Sequence, residues 1–275
     1  MTRDMNNLNF TFSPKAKQVT YLLMGIGLVS IIAAFICDKP TVPDEHYHHT
    51  RAWANLLINS FYFMGIGLAA AFFLGLQYAA DAGWATTVKR IMEATAWVLP
   101  WGLSLLMLLF ILGQFGAHNL YPFFDKEVVA HDKLIQNKMG YFGWFWWLRT
   151  ILYMIAWLFF TNKLRKNSLD ADNANDNSLH FKNVKLGAWF MVVFAVTSST
   201  SAWDWLMSLD IHWFSTLFGW YIFSGMWISA IISIILITVF LKKSGYLEFV
   251  TESTIHDLGK WMFAISFLWT YLYFS

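Results

Sequence analysis

An all-α integral membrane protein, a polytopic transmembrane helix bundle, is the fold class this sequence predicts, and three observations predict it. Hydrophobic residues make up 57% of the 275 residues and charged ones only 13%, well below the roughly 25% of an ordinary soluble domain. Apolar runs long enough to cross roughly 30 Å of hydrocarbon, which takes about 20 helical residues, recur with polar breaks between them. Those runs are continuously apolar instead of alternating at every second residue, which favours helices over the strands of a membrane barrel. Aromatic residues reach 19%, as expected where ring side chains anchor helix ends at both membrane interfaces.

The elements follow in order. Residues 1–18 read as a cytoplasmic N-terminal tail and 19–275 as the bundle. The first span covers 19–37; Phe35 and Ile36 before Cys37 are too large for a lipoprotein cleavage site, so the helix is expected to be retained. The second covers 53–80. The third, 91–113, carries Pro100 as a kink. The fourth covers 142–161, the fifth 186–203 and the sixth 217–241. A seventh, 258–275, stops inside an aromatic apolar run with no polar residues to end it, which suggests that the native chain continues into more helices. Between the fourth and fifth, 170–177 (DADNANDN) reads as a disordered connector, because it has no apolar side chains to bury. The glycine pairs Gly25/Gly27 and Gly65/Gly67 read as close-packing positions.

Lys and Arg are distributed unevenly between the two sets of loops, twelve against five. The positive-inside rule then places the N-terminus and the even-numbered loops in the cytoplasm. The other side receives Asp44 to His49, His118, His131, Asp204, Asp210 and His212.

Several chemistries are disfavoured at once. A net charge of +2 gives no argument for nucleic-acid binding. One cysteine, Cys37, cannot build an iron–sulfur cluster or a CxxC zinc site. All eight histidines (46, 48, 49, 118, 131, 180, 212 and 256) fall in loops or at helix ends, not inside helices as axial haem ligands would, and there is no CxxCH. The chain is therefore expected to bind no redox cofactor of its own.

The remaining candidates are titratable or hydroxylic. Glu45-His46-Tyr47-His48-His49 lacks the helical spacing of a metal motif such as HExxH and reads first as interface or solvent-facing side chains. Arg149, about eight residues into the fourth span, would lie roughly 12 Å below its outer end. An unpaired guanidinium there is costly, so it needs an acid or helix-end carbonyls, and Asp204 is the first partner to name. That pair is either structural or part of a proton path. Thr197, Ser198, Ser199, Thr200 and Ser201 either bond back to helical carbonyls or form a hydrophilic thread ending at Asp204. Glu93, His118, Asp210 and His212 are further groups at depths where a proton relay could begin or end.

The run Trp203-Asp204-Trp205-Leu206-Met207-Ser208-Leu209-Asp210-Ile211-His212-Trp213-Phe214-Ser215-Thr216-Leu217-Phe218-Gly219-Trp220-Tyr221 resembles the outer loop shared by the two large membrane subunits of bacterial alternative complex III. Those subunits belong to the NrfD and polysulfide-reductase membrane-anchor class. His48 to Trp53 through Gly83-Trp84, and Lys89-Arg90-Ile91-Met92-Glu93-Ala94, are similar to the second-helix region of the F-type subunit. Lys138-Met139-Gly140-Tyr141 followed by Arg149 is similar to the start of its fourth helix. The resemblance implies a subunit of a quinol:cytochrome c or oxidase oxidoreductase. Its partners would be multihaem cytochromes with haem c, an iron–sulfur subunit on the outer face and a sister membrane subunit that binds menaquinol, often with a haem–copper oxidase alongside. Proton translocation is the role attached to the F-type bundle.

Three alternatives stay open. The quinol-binding sister subunit relies on an outer His and Asp, for which His118 and Asp204 or Asp210 are loose candidates. A purely structural anchor would show polar interior groups separated by dry gaps. A secondary transporter would show paired half-helices broken near the midplane.

Overall fold

The computed structural model describes residues 12–38, 50–174 and 176–275. Its elements are α1 (Pro14–Cys37), α2 (Thr50–Ala79), α3 (Lys89–Ala96), α4 (Leu99–Gln114), α5 (Lys126–His131), α6 (Lys133–Phe142), α7 (Trp144–Ala171), α8 (Ser178–Trp205), α9 (Phe218–Lys243) and α10 (Glu252–Phe274), with no strand among the described residues. Six stretches there are long and apolar enough to cross a membrane: Pro14–Cys37, Arg51–Ala79, Lys89–Gln114, Trp144–Ala171, Ser178–Leu209 and Phe218–Lys243. The chain is an all-α, multi-pass helix bundle. The seventh expected span does form a helix, α10, but it starts at Glu252, and Glu252, His256, Asp257 and Lys260 leave it less apolar than the six.

α2 is the centre, packing against α3, α4, α8 and α9, and small residues let its neighbours approach. A Cβ at Gly67 would lie 2.5 Å from the Leu99 nitrogen, and one at Gly102 would lie 2.6 Å from the Met64 Cα, so the α2–α4 crossing requires both glycines. Gly65 meets Met226 of α9, its Cβ position lying 2.8 Å from the Met226 Cγ. Gly25 and Gly27 are a correction: nothing stands within 4 Å of either Cβ position, because α1 buries none of its residues and lies outside the bundle.

The kink at Pro100 is present as a break, with α3 ending at Ala96 and α4 starting at Leu99. Proline has no N–H to donate, and its ring collides with the carbonyl four residues back, that of Ala96.

Helix ends differ most from expectation. α1 begins at Pro14 instead of 19, with Ser13 Oγ accepting from the Ala16 N–H, so the expected tail loses its last turn to the helix. α7 runs on to Ala171 and α8 starts at Ser178, well beyond the apolar runs. Buried side chains hold these polar turns together: Asn167 Nδ2 donates to Asn183 Oδ1 at 2.9 Å, and Asn183 Nδ2 donates to the Leu164 carbonyl at 3.1 Å. The expected disordered connector is therefore corrected. Asp170 and Ala171 belong to α7, Asp172 pairs with Arg90, and Asp176 accepts from the Ser178 hydroxyl.

Residues 115–143 are likewise more than a loop. Asp125 caps α5 and Asp132 caps α6, each accepting two backbone N–H bonds. Gly143 makes the corner between α6 and α7, where a Cβ would lie 2.8 Å from the Met139 oxygen. The bundle thus has two ends. The basic end holds the α7–α8 and α9–α10 connections and the start of α3; the loop end holds α5, α6 and residues 206–217.

Gly67→Ala should cost about 1–3 kcal/mol through overpacking, whereas Gly25→Ala should stay within about 0.5 kcal/mol. Unfolding of the two variants in mixed micelles checks the difference.

Candidate functional site

Near the loop end, α7 and α8 meet through one carboxylate. Asp204 sits in the last turn of α8 with its side chain at 0% exposure, and Arg149 of α7 reaches it at 11% exposure. The pairing is bidentate: Arg149 Nε donates to Oδ2 at 2.8 Å and Nη2 donates to Oδ1 at 2.7 Å, the strong planar geometry of guanidinium and carboxylate. Tyr153, one turn further along α7, donates its hydroxyl to Oδ2 at 2.9 Å. Arg149 Nη2 also donates to the Tyr141 carbonyl at 3.2 Å, and its guanidinium lies 3.7 Å from the centroid of the Tyr141 ring and 4.5 Å from that of Phe145. Burial, together with the Asp204 charge, raises the phenol pKa of Tyr141, so the ring stays neutral beside the cation.

The expected partnership of Arg149 and Asp204 is therefore present. Its depth needs correction: α7 starts at Trp144, so Arg149 lies five residues in, about 8 Å along the axis. The backbone of Asp204 is tied as firmly as its side chain, its carbonyl accepting from Trp146 Nε1 at 2.9 Å and from Ser208 Oγ at 2.6 Å. Around it, Trp205 Nε1 donates to Thr150 Oγ1 and the Tyr121 hydroxyl donates to the Trp205 carbonyl.

The five hydroxyls do not form one thread. At about 100° per residue, five consecutive side chains go around the helix. Thr197 faces α7, accepting from Trp157 Nε1 at 2.8 Å, and Thr200 stands beside Tyr153. Ser198 and Ser199 turn toward Phe72, Trp220 and Phe223 instead. Thr197, Ser199, Thr200 and Ser201 each donate to a carbonyl of their own helix, the back-bonding use expected of such residues.

His118 is buried at 3% exposure and both its ring nitrogens are engaged. Nδ1 accepts from the Leu120 N–H at 3.3 Å, which leaves Nε2 to donate to the Leu109 carbonyl at 3.0 Å. This is the neutral tautomer, and burial lowers its pKa. Asp210 and His212 lie on the exposed surface of the loop end. His212 bonds Asp132 at 2.7 Å, which holds the Asp132 carboxyl below its ordinary pKa, and Asp210 accepts the His212 N–H. Neither is joined to Asp204 by a hydrogen bond among the described residues.

Glu93 belongs to the other end. It is buried at 3% exposure, paired with Arg90 at 2.6 Å, and its Oε1 is buried with no hydrogen-bond partner. Arg90 also donates to Ser168 Oγ and the Ser168 carbonyl and pairs with Asp172. From Arg149 to Ser168, α7 advances 19 residues, about 28 Å, so the two polar clusters stand a hydrocarbon thickness apart. Between them along α7 lie the Trp157–Thr197 bond and Thr161, whose buried hydroxyl has no partner, and in the same stretch Phe160 stacks on Phe190 of α8. No chain of hydrogen bonds joins the clusters among the described residues.

Tyr153, Tyr141 and the Arg90–Ser168–Asp172 contacts were not anticipated. Tyr153 had a signal, since it stands four residues after Arg149 and so shares its helix face. Residues 44–49 lie outside the described residues. Among the described ones, no group of three His, Cys, Asp or Glu side chains is arranged to hold a metal ion.

Arg149→Leu or Asp204→Leu alone should destabilise the bundle by about 3–5 kcal/mol, by stranding the other charge or its donors, and the two together by less than the sum of the singles. Denaturant unfolding of the single and double variants measures this. Because folding disfavours the protonated form of His118, stability should be complete above the ordinary histidine pKa of about 6.5 and decline as pH falls below it. The decline should be smaller in His118→Gln, which unfolding midpoints across that range would show.

No protein-family model matches the chain, and no curated protein matches it either.

Proposed function

We propose that the chain is the F-type membrane subunit of a respiratory quinol-oxidising assembly of the alternative complex III kind. It would sit in the bacterial inner membrane with its N-terminus inside and scaffold partner subunits that carry haem c, iron–sulfur clusters and menaquinol. The observation that carries this reading is the anchorage of Asp204. The run 203–221, which resembles the shared outer loop of the family, starts on a carboxylate at 0% exposure fixed by Arg149 and Tyr153. A loop pinned at that point presents a rigid seat to an extramembrane partner, and a rigid seat costs less conformational entropy on docking.

His118 favours the F-type assignment over the quinol-binding sister subunit. Its nitrogens both bond to backbone, which leaves no lone pair or proton for a quinol hydroxyl, and the Asp204 carboxylate is already engaged by three hydrogen bonds from Arg149 and Tyr153.

A transmembrane proton path is the second reading, favoured by the orphan Glu93 Oε1 at the basic end and by the Thr200–Tyr153–Asp204 group near the loop end. Under it, Asp204 takes up a proton only when the Arg149 pair opens, and the span between Thr161 and Ser168 has to be bridged by water.

Asp204→Asn, introduced into the whole complex purified from native membranes, distinguishes the two. Scaffolding predicts several-fold less assembled complex, with the haem content, turnover and proton-to-electron ratio of the surviving fraction unchanged. Full assembly with a reduced ratio supports the proton path. Isolation of the chain as a lone, haem-free particle with solute uptake would refute both.

A further inference from the structure

The connection between α2 and α3 encloses a cleft of about 80 Å³ lined by Gln77 and Tyr78 of α2, Ala85 and Thr86 of the connection, Lys89 of α3 and His180 of α8. Its geometry is rigid. A Cβ at Gly187 would lie 2.6 Å from the Gly75 oxygen, so α8 is pressed against α2, and this contact brings His180 over the cleft.

Two features there have no internal explanation. Gln77 is 6% exposed, yet its carboxamide makes no hydrogen bond among the described residues. Lys89 is half-buried and has no carboxylate partner among them. The acid nearby, Asp81, is occupied by His180 Nε2 at 2.8 Å. The cleft therefore offers an ammonium, a carboxamide and the Thr86 hydroxyl, a donor-rich and cationic set. The Gln77 side chain lines the cleft, so its hydrogen-bond partner has to come from there, and water alone would satisfy Gln77 without neutralising Lys89. The volume is several times the roughly 10–15 Å³ that a single water needs on the same measure, enough for one tetrahedral anion.

We propose that this cleft binds the phosphate of an anionic phospholipid from the leaflet at the basic end. Phosphate supplies acceptor oxygens for Lys89, Gln77 and Thr86 at once. Lipid is the source because the cleft opens where one membrane span, Arg51–Ala79, ends and the next, Lys89–Gln114, begins. That is the headgroup level, and basic pockets between helices on the cytoplasmic side bind such headgroups. The site is independent of any respiratory role and holds if that role fails.

The test uses the full chain in phosphatidylcholine vesicles with or without phosphatidylglycerol, reading lipid retained after detergent extraction by native mass spectrometry, and the thermal midpoint. The unaltered protein should keep one phosphatidylglycerol and gain in midpoint. Lys89→Ala and Gln77→Leu should each reduce retention on the order of fivefold, while Lys89→Arg and Lys182→Ala, the latter at an exposed lysine of the same end, should not. Circular dichroism identifies any variant that misfolds, and Lys89→Arg then decides the matter, since it keeps the charge. Retention equal in all variants, or lowered equally by Lys182→Ala, overturns the site. A midpoint raised as much by inorganic phosphate in phosphatidylcholine alone overturns the lipid assignment.

Discussion

A carboxylate with no exposed surface, at the end of a helix surrounded by hydrocarbon-facing residues, is the constraint on which the loop end of this protein depends. Charge in such a medium is tolerated only when its partners arrive together. Asp204 receives three side-chain hydrogen bonds from two residues of α7, and its carbonyl receives two more from Trp146 and Ser208. The consequence is positional. α8 cannot slide or turn against α7 without separating the bonds from Trp146, Arg149 and Tyr153, and the Ser208 bond ties the chain leaving α8 back to the same residue, so it sets out toward the 206–217 loop from a fixed point.

The apolar packing does a different job. Water drives no association between helices inside a membrane, so close contact has to be obtained from shape. Gly65, Gly67 and Gly102 supply it where α2 meets α9 and α4, and the break before Pro100 falls at the same crossing. A straight third helix would carry Leu99 past Gly67 at a different angle. Kink and glycines are thus two parts of one contact, and together they place α2 at the centre. α1 has no equivalent: its glycines face open space, and its burial inside the bundle is nil.

How much of this was legible follows from what each feature depends on. The order of helices was readable from apolar runs, because membrane thickness sets a length that composition reveals. Their ends were not, because the turns from Asn162 to Ala171 and from Ser178 to Lys185 are polar and stay helical through tertiary bonds such as Asn167–Asn183. The Arg149–Asp204 pair was readable, since a guanidinium inside a span must find an acid and few acids lie near its depth. For His118 the sequence offered only a titratable ring at a depth where a relay could begin or end; the two backbone bonds that hold it as a neutral imidazole come from the fold. The hydroxyl row could have been divided beforehand, as helical rotation alone separates Thr197 and Thr200 from Ser198 and Ser199.

The distribution of polar groups along α7 bears on what the bundle can do. Arg149, Thr150 and Tyr153 occupy its first turns and Asn167 and Ser168 its last, and the turns between are closed by aromatic rings packed at ordinary contact distance, such as Phe160 on Phe190 at 5.1 Å between centroids. Within that stretch, Thr161 is buried without a partner. A stacked ring pair leaves no room for a file of water beside it, and the Thr161 hydroxyl stands about two turns from Tyr153 on one side and from Asn167 on the other, with the Trp157–Thr197 bond not joined to it. Charge movement along this face therefore requires the rings to separate first, a cost that a scaffold never meets. As it stands, α7 joins its two polar ends through a closed aromatic stretch and not through a continuous file of polar groups.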